Sequence, residues 1–233
     1  VKTAFTDQEL CSSLFLTSAN SINVARWLPQ QFFYLLAYKQ WKDKNNPPVI
    51  CVPSGNFGNI CAGLLAMKSG LPIKHFIAAC NANDVVPKFM LTSHYQAQQS
   101  VATLSNAMDV GDPSNFIRIL KLFNHDKDAL KKSFTAVSVS DEETKKAIIE
   151  VDREHNYLMD PHGAVGYIAL KNYLSEHKGL QGIFAETAHP VKFYDVVEPL
   201  IQKKIPLPDA VSAIVDKVKV VVDFKVLKEV EAD

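Results

Sequence analysis

The sequence predicts an α/β protein with an open, mostly parallel sheet and helices on both faces. Three observations carry that prediction. Short unbroken apolar runs, such as Val49-Ile50-Cys51-Val52, alternate with longer stretches of helical period. These runs are apolar throughout, as strands are when helices cover both sides of a sheet. One run breaks into Ser54-Gly55-Asn56-Phe57-Gly58-Asn59 and leads straight into a helix of small residues, which is a β-loop-α unit.

In chain order, Ser18-Ala19-Asn20-Ser21 precedes a helical pattern over about 23–42, with apolar residues at Val24, Trp27, Leu28, Phe32, Leu35 and Leu36. Pro29 is expected to end or kink it locally. Asn45-Asn46-Pro47-Pro48 marks a turn. The strand at 49–52, the glycine loop and a helix over 59–68 follow, and Gly70-Leu71-Pro72 closes that helix. Residues 73–79 read as the next strand. Weak periodicity and dense Ser, Asn, Asp and Gly make 93–115 a long functional loop region. Residues 134–139 are a strand, and Ser140 with Glu143 forms a capping box for a helix reaching about His155. Another helix follows Asp160-Pro161-His162-Gly163, residues 182–186 are a short strand, and 218–224 is a late β-rich run.

Composition narrows the function classes. With 233 residues, 47% hydrophobic and 21% charged, the chain can bury a substantial core. Its 25 basic and 25 acidic residues balance, which argues against nucleic acid as the main partner. No apolar run approaches the roughly 20 residues that span a bilayer. The N-terminus is not a signal peptide and lacks an initiator Met, so a processed or excised piece is expected. Cys11, Cys51, Cys61 and Cys80 form no C-x-x-C pair and read as free thiols of a cytoplasmic protein. The seven histidines show no metal-ligand spacing, and no metal site is assigned.

The glycine loop carries the chemistry. Glycines let a backbone turn without a Cβ clash, and free N–H groups at the start of a helix point at one spot where the dipole favours negative charge. A phosphate is the expected guest. The loops after 52 and after 186 both leave the carboxyl ends of strands, where ligands bind in open α/β sheets, so they are expected to line one crevice. Taken alone, a strand-glycine-helix turn is as often tight packing as a phosphate site.

Four further stretches give the loop a context. They are residues 16–23 (Leu-Thr-Ser-Ala-Asn-Ser-Ile-Asn), 102–110 (Ala-Thr-Leu-Ser-Asn-Ala-Met-Asp-Val), 160–164 (Asp-Pro-His-Gly-Ala) and 186–193 (Glu-Thr-Ala-His-Pro-Val-Lys-Phe). In this order they closely resemble the threonine synthase family, and the resemblance covers nearly the whole chain to about Glu198.

The resemblance implies a pyridoxal-phosphate enzyme of fold type II, the tryptophan-synthase-β type. The expected activity is a carbon-oxygen lyase acting on phosphates, turning O-phospho-L-homoserine and water into L-threonine and phosphate. It also implies site residues. Gly55, Asn56, Phe57, Gly58 and Asn59 hold the cofactor phosphate, with Gly58 needed for the turn, and Thr187 bonds the pyridine nitrogen. A neutral hydroxyl there favours nitrogen protonation less than a carboxylate would, which tunes the cofactor's electronics. Asn20, Ser21, Asn23 and Asn106 are the substrate-side candidates.

No catalytic residue is assigned. The family's Schiff-base lysine belongs to a Ser-Phe-Lys-Asp-type motif upstream of the segment matched here, and Lys88, Lys192 and Lys225 stand in other contexts. The whole chain, 1–233, is therefore expected to be the large-domain portion of such an enzyme. About 1–23 bounds a missing small domain, and about 200–233 forms a C-terminal tail. The isolated chain is expected to be inactive, with the missing N-terminal portion as its partner. Two alternatives remain open: a threonine-synthase-like phospho-lyase on the same fold, and a non-catalytic phosphate-binding module.

His189 reads as a loop residue that shapes the site and His162 as a helix cap. Trp27, Trp41 and Phe32-Phe33-Tyr34 read as core or as a face against another domain.

Overall fold

The computed structural model describes residues 2–18, 20–21 and 23–212. The β-rich run expected at 218–224 lies outside them. The elements in order are α1 (Lys2–Thr6), α2 (Gln8–Ser13), α3 (Val24–Trp27), α4 (Gln31–Gln40), β1 (Val49–Pro53), α5 (Gly58–Lys68), β2 (His75–Cys80) and α6 (Val85–Thr92). They continue with α7 (Phe116–Leu122), α8 (Lys127–Ser133), β3 (Phe134–Ser138), α9 (Asp141–His155), α10 (Pro161–Glu176), β4 (Gly182–Phe184), α11 (Tyr194–Ile201) and α12 (Asp209–Ser212).

The four strands form one parallel sheet in the order β3-β2-β1-β4. Strand residues alternate between two faces because successive Cβ atoms point to opposite sides. Ile50, Val52, Phe76, Ala78 and Cys80 join Ile60 and Leu64 of α5 and Phe116 and Ile119 of α7 in one apolar layer. Val49, Cys51, Ile77 and Ala79 meet Val165, Ala169 and Leu170 of α10 in the other. A third cluster packs Ile148 and Val151 of α9 and Val197 and Ile201 of α11 behind α10. Each fully buried Val, Ile, Leu or Phe in these layers contributes about 1.5–3 kcal/mol. The doubly covered sheet accounts for the continuous apolar runs in the sequence.

Most expected elements appear within two residues of their predicted bounds, including the capping box: Ser140 Oγ accepts from Glu143 N, and a Glu143 carboxylate oxygen accepts from Ser140 N at 2.9 Å. The helix expected over 23–42 is broken. Pro29 sits in a 3-10 turn, Leu28–Gln30, between α3 and α4, because a proline within the helix would leave a carbonyl without its donor. The loop at 93–115 is largely irregular, and the Asp109 carboxylate ties it down. Asp109 Oδ1 accepts from Asn81 Nδ2, Asn83 Nδ2 and Thr103 Oγ1, and its Oδ2 accepts from Thr103 N.

Cys51, Cys61 and Cys80 are buried, and burial pushes their thiols up, Cys61 to about 12, so they stay protonated and inert. Cys11 is exposed. Tyr34 and Trp27 are buried, whereas Phe32 and Phe33 are each 63% exposed on α4. No helix among the described residues is long and apolar enough to cross a membrane.

Candidate functional site

From β1 the chain moves outward to β2 and β3, then returns through α9 and α10 to place β4 on the other side of β1. This reversal makes the carboxyl ends of β1 and β4 the switch point of the sheet, where a crevice opens. A cleft of about 470 Å³ lies there. Its walls are the glycine loop after β1, the turn at Ala107-Met108, and the segment after β4 with Thr187, Ala188, Lys192 and Phe193; Ser21, Gln30 and His162 complete it.

The glycine-loop wall is rigid. Phe57, at the N-cap of α5, has φ 61 and ψ 12, a left-handed conformation that is costly for a residue with a Cβ. Its ring holds it there, only 4% exposed and edge-on to Phe116 at 5.9 Å. Gly58 has an ordinary φ, so the expectation that it makes the turn is corrected. A Cβ on it would lie 3.3 Å from Ser21 Cβ, and close approach is what it provides. Gly55 is tighter still, since its Cβ would lie 2.6 Å from Met108 Cα.

Among the described residues, the backbone N–H groups of Gly55 to Ile60 have no acceptor, and Phe57 provides no side-chain cap. Such a row of donors at a helix start is suited to an anion. No acidic side chain lines this cleft, and Lys192 adds a positive charge. Pro53, Ile60, Met108 and Phe193 give it an apolar body. The volume, donors and apolar walls fit a small planar molecule carrying one phosphate, which is the shape and charge of pyridoxal phosphate.

The opposite wall is built from ionisable groups. Asp160 caps α10: its Oδ1 accepts from His162 N at 2.8 Å and from His162 Nδ1 at 2.6 Å. His162 Nε2 accepts from Ala107 N at 3.3 Å, so the ring proton sits on Nδ1. Glu186, next to Thr187, is exposed toward a second cleft, yet its carboxyl end fits over the first turn of α10. A Cβ on Gly163 would lie 2.3–2.5 Å from that carboxyl. Burial there, together with a hydrogen bond to Asp160 and its charge, pushes the Glu186 carboxyl up to about 8. Burial opposes ionisation of Asp160 too, but hydrogen bonds from His162 and Glu186 outweigh it and hold its carboxyl below the usual range.

The cleft gathers Ser21, Gly55, Asn56, Phe57, Gly58, Asn59 and Thr187 from the expected residues. Their roles differ. The Asn56 side chain is already engaged: Nδ2 donates to Ser21 Oγ at 2.7 Å, and Oδ1 accepts from Ser114 N at 2.7 Å and Ser114 Oγ at 2.9 Å. Asn59 Oδ1 accepts from Tyr34 Oη at 2.8 Å. These loop side chains fasten the fold, and the backbone N–H groups of the loop are left without an acceptor among the described residues. Asn20 Oδ1 accepts from Ser21 Oγ at 3.3 Å beside the cleft. Asn23 caps α3 through Ala25 N at 3.0 Å, and the exposed Asn106 starts a 3-10 turn; neither lines the cleft. His189 Nδ1 accepts from Val191 N at 3.2 Å, the loop-shaping role expected. Asp160, not His162, caps α10, which corrects the expectation for His162.

Sequence reasoning missed Glu186, Met108, Lys192 and Gln30. Glu186 and Lys192 flank the Thr-Ala-His-Pro stretch and had a signal in that proximity. Met108 had its signal in the 102–110 stretch, and Gln30 had none.

The family described as pyridoxal-phosphate dependent enzyme matches residues 12–183, and the family described as threonine synthase, C-terminal, matches residues 163–232. The chain is similar to threonine synthase from Serratia marcescens, 48% identical over 213 residues, covering 91% of this chain and 49% of that protein. In structure it is similar to threonine synthase from Escherichia coli, with a TM-score of 0.84 and 42% identity over 92% of this chain and 50% of that one. It is also similar to the PLP-bound threonine synthase from Brucella melitensis, with a TM-score of 0.79 and 30% identity over 90% of this chain and 50% of that one. The chain spans about half the length of the curated relatives it matches.

Proposed function

The chain belongs to the pyridoxal-phosphate-dependent enzyme family, and on that premise we propose that it is the large-domain portion of a threonine synthase, acting on O-phospho-L-homoserine to release L-threonine and phosphate. The observation that carries the reading is the row of uncapped N–H groups from Gly55 to Ile60, opposite Thr187 in one cleft.

Pyridoxal phosphate, when bound, supplies an electron sink for chemistry on an amino-acid substrate. The N–H groups of Gly55, Asn56, Phe57, Gly58 and Asn59 would hold its phosphate, and the Thr187 hydroxyl would meet its pyridine nitrogen. Met108 and Phe193 exclude water from the space between. Ser21, with Asn20 beside it, and Lys192 stand at the cleft for the anionic groups of the substrate. Asn23 and Asn106 support the neighbouring turns. The lysine that bonds the cofactor is assigned to an N-terminal portion like that of the relatives. That portion would cover the exposed Phe32, Phe33 and Leu36 of α4 and the apolar second cleft beside β4, where Phe33, Ala37, Ile183 and Ala185 line about 610 Å³.

The test is reconstitution. This chain joined or mixed with such an N-terminal portion is expected to form threonine and inorganic phosphate from O-phosphohomoserine, while the chain alone turns over nothing. A folded, cofactor-loaded assembly that yields a keto acid and ammonia, or no product, would overturn the proposal.

A further inference from the structure

One buried acceptor in the site has no partner supplied by ordinary donors. Asp160 is fully buried; Oδ1 takes two donors from His162, and Oδ2 has none among the described residues. A buried carboxylate oxygen left without a donor is costly. The group beside it is another carboxyl, Glu186, nested over Gly163 where any larger residue would collide with it. We propose that Glu186 stands as a neutral acid donating to Asp160 Oδ2, and that the chain Glu186–Asp160–His162–Ala107 is a positioning device joining two walls of the cleft.

Each link has a defined consequence. Glu186 is bonded in sequence to Thr187, so fixing its carboxyl fixes the direction in which the Thr187 hydroxyl enters the cleft. His162 takes the Ala107 N–H, and Met108, the next residue, is the one whose Cα the Gly55 loop nearly touches. The turn at Ala107-Met108 is therefore held by His162 on one side and meets the Gly55 loop on the other. Ionisation of Glu186 removes the donor and places two carboxylates side by side, so the Thr187 wall should loosen.

The ionisable groups around Glu186 are Asp160 and His162 at the start of α10, Tyr157 before it, and Tyr34 across the second cleft. Burial beside Asp160 and Glu186 pushes Tyr157 up, and burial pushes Tyr34 well up, so both stay neutral in the relevant range. The sign follows from a carboxyl whose folded value is raised from 4.5 to about 8. Its stabilising contribution is complete below the unfolded value and is lost as pH rises through the folded one.

The inference rests on the proposed function only for what Thr187 faces, and the measurement that decides it needs no ligand. In the full 233-residue chain, the Glu186 carboxyl carbon followed by NMR is expected to titrate near 8, and the Thr187 and Ala107 amide signals should shift with the same midpoint. Glu186→Gln keeps a donor that does not ionise, so in that variant both amides should hold still over the same range. Pyridoxal phosphate should then bind about fivefold or more weakly to the wild type above the midpoint than below it, with the difference absent in Glu186→Gln. A Glu186 titration in the ordinary carboxylate range, or wild-type amides that ignore it, overturns the proposal. The wild-type titration decides this even if the variant does not fold. Absence of pyridoxal phosphate binding at every pH once the chain is joined to its N-terminal portion, with the carboxyl titration as expected, would strike at the proposed function and leave the positioning chain standing.

Discussion

The two walls of the cleft are made in opposite ways. The glycine-loop wall uses no ionisable side chain: it is held by the buried Phe57 ring, the bare face of Gly55 against Met108, and the Asn56 bonds to Ser21 and Ser114. The Thr187 wall is exposed and hangs on Glu186, Asp160 and His162. The first wall presents backbone N–H groups whose charge state never changes. The second presents a single hydroxyl whose placement depends on a proton. A site that needs a constant grip on one end of a ligand and an adjustable contact at the other can be built this way.

Substitutions in the two walls should separate them. The largest effect is expected from Phe57→Ala. Loss of a buried ring costs about 3–5 kcal/mol, Ala keeps the Cβ that makes the left-handed turn costly, and thermal unfolding should show the loss together with loss of cofactor binding. Gly55→Ala comes next, because its Cβ must displace the backbone of the Met108 turn. About 1–3 kcal/mol of stability should be lost, with phosphate-end binding weakened at every pH, as measured by calorimetry and cofactor titration.

The pH dependence should then sort the walls. Gly55→Ala is expected to keep the loss of affinity above pH about 8 that Glu186→Gln abolishes. If both variants abolish it, the walls are not independent and the contrast fails. The smallest structural effect belongs to Thr187→Val. At this exposed position the folding stability should change by no more than about 0.5 kcal/mol, while cofactor affinity falls by about 1 kcal/mol through the lost hydrogen bond. A Thr187→Val chain that binds as well as the wild type would remove the hydroxyl from the site.

Much of this was legible in the sequence where the signal is local. The apolar run at β1, the Ser140–Glu143 box and the break at Pro29 each act within a few residues of the chain, through strand alternation, helix capping and the missing proline N–H. The switch-point crevice could also be anticipated, because strands followed by loops and helices put their carboxyl ends together. The roles of the loop side chains could not. Asn56 belonged to the expected cradle, and its side chain is engaged by Ser21 and Ser114, 35 and 58 residues away. Asn23 was a substrate-side candidate, and the helix that starts beside it takes its oxygen.

The sequence by itself determined the fold class, the strand-loop-helix unit and the family, since these rest on periodicity and on motifs read along the chain. Only the tertiary structure decided that Phe57 rather than Gly58 carries the left-handed turn, and that Glu186 lies against Asp160 across the start of α10. The physical reason is the same for both. A local pattern records what neighbouring residues do to the backbone. A buried ring holding a strained residue, or two carboxyls brought together by the return of the chain to β4, records what the packed molecule does to residues far apart in sequence.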